Sequence, residues 1–247
     1  MKYKRNFLNK VIVRIDFLNK ISLLNEQIPK NISNVIQSYF PIVEPRESIL
    51  SELQIKAPNI EELKSKKILD WNFYGKNRKK HLHINWENMF IVFFEYNSFG
   101  ELKNHFLDIA EKLFENFSNE LQVKRLGLRF INSIEVSSKN PFYWGSYLNT
   151  NLLSIFKITK DKKQIARAFN NLEINFGDFL LRFQYGMHNP DFPAPIRKKI
   201  FILDFDAYSN ILFGINEIEA TLPIYHEKIV EYFEKSIKDG FRRKLNE

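Results

Sequence analysis

The residues best placed to do chemistry are two aspartates and four arginines. Asp204 and Asp206 stand two apart in the apolar run KIFILDFDAY at 199–208. If that run is a strand, alternate side chains share a face and both carboxylates point the same way. Such a pair can hold a divalent cation, or it can neutralise arginines on neighbouring strands. The candidates for that pairing are Arg125, Arg129, Arg167 and Arg182, each on the more polar face of its own segment. Arg125 and Arg129 flank Gly127 in LQVKRLGLRFINSIEV at 121–136, and a glycine there leaves room for something to approach the backbone. Arginine suits bidentate recognition of carboxylate or phosphate, so this face reads as an anion or partner site, or as an internal ion network. Asn171, Glu173 and Gln184 would share the same polar surface.

The histidines offer less. His81 and His83 share a strand face, the one ligand-like spacing, but no third ligand lies nearby in sequence. His226 falls on the apolar stripe of a helix and is expected as a hydrogen-bonded core residue. No GxSxG, P-loop, HExxH or GxGxxG occurs. No catalytic residue, metal or cofactor is therefore assigned. Metal-dependent catalysis at Asp204 and Asp206 stands as the enzymatic alternative to a binding protein.

Composition narrows the classes further. There is no cysteine, which excludes disulfides, thiolate catalysis and zinc sites of the cysteine type. The net charge is +8 with a pI near 9.4, which permits a nucleic-acid partner on a basic sheet surface. The basic clusters are short and mostly flank strands or end helices, where solvated charge is ordinary. No apolar run is long enough for a membrane span. At the N-terminus Arg14 and Asp16 interrupt the apolar part, as in a strand rather than a leader. A cytoplasmic protein is the simplest expectation. Phe142, Tyr143 and Trp144 follow a proline in a loop-like stretch, and exposed there they would mark a partner site.

The elements that must position these residues read as strands in runs, separated by helices. Strands are expected over 11–18, 49–56, 69–74, 81–86, 89–96, 121–136, 164–175, 179–187 and 199–208, with Gly177-Asp178 as a hairpin turn. Residues 58–67 read as a charged connector. Short helices are expected over 23–28 and 32–40, the second capped by Asn31 or Ser33. Ser98 with Glu101 matches a capping box ahead of an amphipathic helix over 99–117. A second long helix is expected over 223–241.

Runs of antiparallel strands with helices between them define an α+β fold. Residues 1–118 and 119–247 show the same order of strand, helix, strands and long helix, so two similar halves or one continuous domain are expected. That order is similar to the repeated half of TATA-binding-protein-like folds and to helix-grip folds.

Several stretches together resemble a sporadically distributed, uncharacterised prokaryotic family of about this length. They are Tyr3…Asn9…Val11-Ile12-Val13, Arg125-x-Gly127-Leu128-Arg129-Phe130-Ile131-Asn132, Leu203-Asp204-Phe205-Asp206, and Leu222…His226…Phe233-Glu234. The resemblance covers nearly the whole chain, and the arginine–glycine–leucine–arginine motif is its most specific part. It marks Arg125, Gly127, Arg129, Asn132, Asp204, Asp206 and His226 as pattern positions without assigned roles. It implies a stand-alone cytoplasmic protein of mobile gene neighbourhoods, a component of antiviral defence. The expected function is a non-enzymatic interaction protein whose partner is another protein or a second copy. Nucleic-acid binding is the alternative.

Overall fold

A computed structural model describes the chain except at positions 1, 2, 5, 52, 53, 57, 58, 62–64, 119, 137 and 138, and describes side-chain surroundings outside 50–66. The strands are β1 (Leu8–Phe17), β2 (Ile42–Ser51), β3 (Gln54–Lys56), β4 (Asn59–Glu61), β5 (Ser65–Tyr74), β6 (Lys80–Ile84), β7 (Asn88–Phe93), β8 (Val123–Glu135), β9 (Ala168–Asn175), β10 (Leu180–Met187) and β11 (Ile200–Ser209). Among the described residues, nine of them form one antiparallel sheet in the order β2-β5-β6-β7-β1-β8-β11-β10-β9. β3 and β4 pair only with each other. Each half lays its last strand beside its first: β7 beside β1, and β11 beside β8. The two first strands pair at the centre, so one sheet runs through both halves.

Alternation explains why these segments pair as they do. Val11, Val13 and Ile15 of β1 face Phe130, Leu128 and Leu126 of β8 on one side and Phe93, Ile91 and Met89 of β7 on the other. All nine are buried. Beyond β8 the same face continues through Phe205, Leu203 and Phe201 of β11. Burying one such side chain is worth about 1.5–3 kcal/mol before conformational entropy is set against it. The helices cover this face. α2 (Phe99–Asn116) brings His105 to within 5.8 Å of the Phe93 ring, and α3 (Ile215–Ser236) brings His226 and Phe233 against Phe130 and Phe205 at 5.7 and 6.5 Å. α1 (Lys30–Tyr39) packs on α2, where the Tyr39 ring lies 4.0 Å from His105 and its hydroxyl donates to Asp108. Among the described residues no α-helix covers the opposite face. None of the helices is long and apolar enough to cross a membrane.

Several boundaries differ from the sequence expectation. β2 starts at Ile42 rather than Ile49 and carries Pro45, which an edge strand tolerates because one side of it needs no donor. Positions 52 and 53 of the expected strand over 49–56 lie outside the described residues, and the rest falls in the end of β2 and in β3; the expected connector over 58–67, of which 58 and 62–64 lie outside the described residues, is instead occupied by β4 and the start of β5. α1 is preceded by Pro29 with no side-chain cap, and Ser33 sits inside its first turn, bonding Gln37. Ser98 caps α2 as expected, accepting from the Glu101 N–H at 3.2 Å, but the Glu101 carboxylate bonds Asn97 instead of closing the box.

The last helix is two helices. α3 begins at Ile215, where the Glu217 carboxylate accepts the Gly214 N–H at 2.9 Å, and Pro223 lies inside it. It ends at Ser236 because the chain there bonds a loop instead of itself: Asn149 N–H to Ser236 C=O, and Lys238 N–H to Tyr147 C=O, both at 2.8 Å. α4 (Asp239–Asn246) follows, with Phe241 and Leu245 buried. Gly240 is required by this docking, since a Cβ would meet the Ser146 carbonyl oxygen at 2.2 Å.

That loop overturns the expectation of an exposed aromatic cluster. Trp144 is fully buried with its ring 5.3 Å from Phe201, and Phe142 packs on Phe156; only Tyr143 is exposed. The loop packs between β11, through Phe201, and the junction of α3 with α4. Lys199 is buried among Tyr143, Trp144 and Tyr147 at 5.7, 5.0 and 5.0 Å, and burial pulls its amine below the usual lysine range. Trp144→Ala should therefore cost about 3–5 kcal/mol in urea unfolding, whereas Tyr143→Ala should stay within about 0.5 kcal/mol.

Candidate functional site

The helix-free face places most of the predicted residues together. Across the strands one row reads Ile12, Arg129, Asp206, Arg182 and Glu173; the next reads Lys10, Ile131, Asp204, Gln184 and Asn171. Arg129 stands opposite Asp206 in register, yet it bonds diagonally to Asp204. Its Nε donates to Oδ1 at 2.8 Å and its Nη2 to Oδ2 at 2.6 Å, the two-pronged geometry of a strong charge-assisted pair. The Asp204 side chain is 9% exposed and that of Arg129 38%, so the pair sits at the boundary between core and water. The bond to Asp204 raises the Arg129 pKa, with burial opposing it.

Asp206 lies among Arg125, Arg129 and Arg182 without hydrogen bond or ion pair among the described residues. Burial pushes its carboxyl above the ordinary value, and the three arginines pull it partly back. Arg125 and Arg182 instead frame Tyr208, their guanidinium carbons 5.0 and 5.3 Å from its ring. Arg182 bonds Glu173 at 3.1 Å, and Arg125 reaches Asp16 at 3.8 Å. Asp16 also accepts from Arg14 at 2.6 Å. Every arginine of this array has a carboxylate partner.

The remaining predicted positions fall elsewhere. Asn132 faces the core, donating to the Leu203 carbonyl at 3.2 Å. Arg167 precedes β9 and stacks on Phe192 at 4.0 Å, away from the array. The clearance over Gly127 is already filled: a Cβ there would meet the Arg125 guanidinium at 3.3 Å. His81 and His83 both bond the Asn72 side-chain oxygen, at 2.9 and 3.3 Å, and stack on Tyr74 and Phe90. Burial drops His81 to about 4, so it is neutral near pH 7. His226 stacks on Phe99 at 4.1 Å rather than hydrogen-bonding as expected. The described residues contain no cluster of three or more metal-ligating side chains.

Sequence reasoning left out three members of the array. Arg14 and Asp16 were readable as the polar face of β1, but nothing local places them beside Arg125. Tyr208 shares the face of Asp204 and Asp206, and it becomes part of the site only because Arg125 and Arg182 close over it. As for chemistry, both Asp204 oxygens are occupied by Arg129, so a cation there would have to displace a bidentate guanidinium. No protein-family model matches this chain, and no curated protein does.

Two measurements probe the array. Asp204→Ala should cost about 1–3 kcal/mol by urea unfolding, less than for a fully enclosed pair because Arg129 keeps water contact, while the double change Arg129→Met with Asp204→Leu should restore most of that loss. Asp206 has a folded-state pKa raised above 3.8, so the fold binds its proton more tightly and loses stability as pH rises through that raised value. Asp206→Asn should therefore be the more stable form at pH 7. Its advantage should vanish at pH values below 3.8, where the aspartate is protonated in both states.

Proposed function

We propose that this chain is a non-enzymatic interaction protein that receives a protein partner on its helix-free sheet face. The observation that carries the reading is the pairing of Arg14, Arg125, Arg129 and Arg182 with carboxylates on a face left open to solvent. An ordered array of both signs suits a partner with complementary charge, where such groups set register and exclude wrong partners. A nucleic-acid backbone gains most from unpaired cations that can release counterions, and these arginines already have partners. The proposed partner is a component of antiviral defence and the complex is cytoplasmic, a reading supported by the resemblance alone.

The test compares charge-reversed proteins in capture from the native host. The wild-type chain and a helix-face control, Lys228→Glu, should retain the same protein, while the double change Arg125→Glu with Arg182→Glu should lose it. Retention of that protein by the double variant would defeat the proposal. Nuclease-sensitive capture, or salt-dependent binding of a generic oligonucleotide, would favour nucleic acid instead. Self-association lost in the same variant would name a second copy as the partner.

A further inference from the structure

The open face holds a second feature, apart from the arginine array. Beyond the Arg129–Asp204 pair, a depression of about 660 Å³ lies over β8, β11, β10 and β9, within the size range of small-ligand sites. One row beside it lacks a side chain. Ser133, Ile202, Gly186 and Phe169 form one row across the four strands. At Gly186, with φ of 153°, a Cβ would meet the Ala168 carbonyl oxygen at 2.0 Å. β9 and β10 approach too closely there for any side chain, and the floor between Ile202 and Phe169 stays bare.

The walls carry polar groups that the fold itself does not use. Gln184 and Asn171 are cross-strand neighbours, and neither carboxamide makes a hydrogen bond among the described residues. Phe169 is 41% exposed beside them. Lys10 stands on the far side without an ion pair among the described residues. Between the two ends lies Asp204, oriented by Arg129.

We infer that this hollow binds an adenine nucleotide moiety, free or as an unpaired base of a strand. Adjacent carboxamides present the donor–acceptor edge that reads adenine, and an exposed phenyl ring supplies a stacking surface. Lys10 lies three strands from Gln184, roughly 14 Å of sheet, which the reach of its side chain shortens toward the length of one nucleotide. A neutral sugar would leave Lys10 unused.

Calorimetric titration of the full chain with AMP tests this. AMP should bind saturably, with GMP weaker by about tenfold or more, the discrimination expected of one bidentate base contact. Asn171→Ala with Gln184→Ala should weaken AMP by about tenfold or more, and Phe169→Ala should do likewise. Lys10→Ala should weaken AMP without changing adenosine. These positions are surface residues, and thermal unfolding checks that each variant is folded. A short oligoadenylate distinguishes the sources: binding tighter than AMP indicates a strand, and equal binding a free nucleotide. Absence of saturable binding of both up to millimolar concentration overturns the inference, as does AMP binding unchanged in the carboxamide variant or displaced by maltose. The partner capture described above uses other residues, so either reading can fail alone.

Discussion

The antiparallel register of β1 with β8 is the constraint on which the rest depends. It sets Val13 against Leu128 and Arg14 against Gly127, and so decides which residues of both halves share a face. A slip of one residue would turn every side chain of one strand to the opposite side, putting arginines against the helices and leucines in water. Because β7 and β11 flank this pair, the register propagates outward through Phe93 on one side and Phe205 on the other. One continuous apolar face results, and α2 and α3 can lie across it.

Covering one face leaves the other to solve a different problem. Its strands are packed side by side, so charged groups on it lose part of their hydration without leaving water entirely. Arg129 and Asp204 meet this with two short hydrogen bonds. Asp206 does not, and burial raises its carboxyl despite three nearby guanidinium groups. The stacking of Arg125 and Arg182 on Tyr208 turns the same cations into a lid over an aromatic ring. Charge here is arranged in pairs rather than accumulated.

Both halves lay their last strand beside their first, but the first contributes five strands to the sheet and the second four, and they differ in what packs beneath it. In the first, α1 packs behind α2. In the second, the Trp144 loop plugs the core and bonds the junction between α3 and α4, so that Gly240 has to lie against backbone. The difference falls on the helical layer, while the open face keeps its regular rows. Within those rows, β9 and β10 approach closely at Gly186, in the same row as Ile202 and Phe169 of the hollow.

Much of this was legible in local pattern. Alternation over 121–136 separates Leu126, Leu128 and Phe130 from Arg125 and Arg129, and the same rule puts Asp204 and Asp206 on one face. The Ser98 cap and the spacing of Leu102, Phe106, Ile109 and Leu113 define α2, because caps and helical periodicity act within a few residues. The α+β class follows from the same signals. What no segment encodes alone is which strand lies beside which. The contact of Asp16 with Arg125, the diagonal choice of Asp204 over Asp206 by Arg129, and the fall of Asn132 and Arg167 outside the array all arise from pairings between distant strands. The same holds for Trp144, which reads as exposed until its ring meets Phe201 of β11, and for α3, whose start lies before the proline that seemed to open it. Local sequence determined the elements and their faces, since backbone sterics and hydrophobic period are short-range properties. Tertiary structure decided the neighbours, since burial and strand hydrogen bonding are satisfied only between segments far apart in the chain.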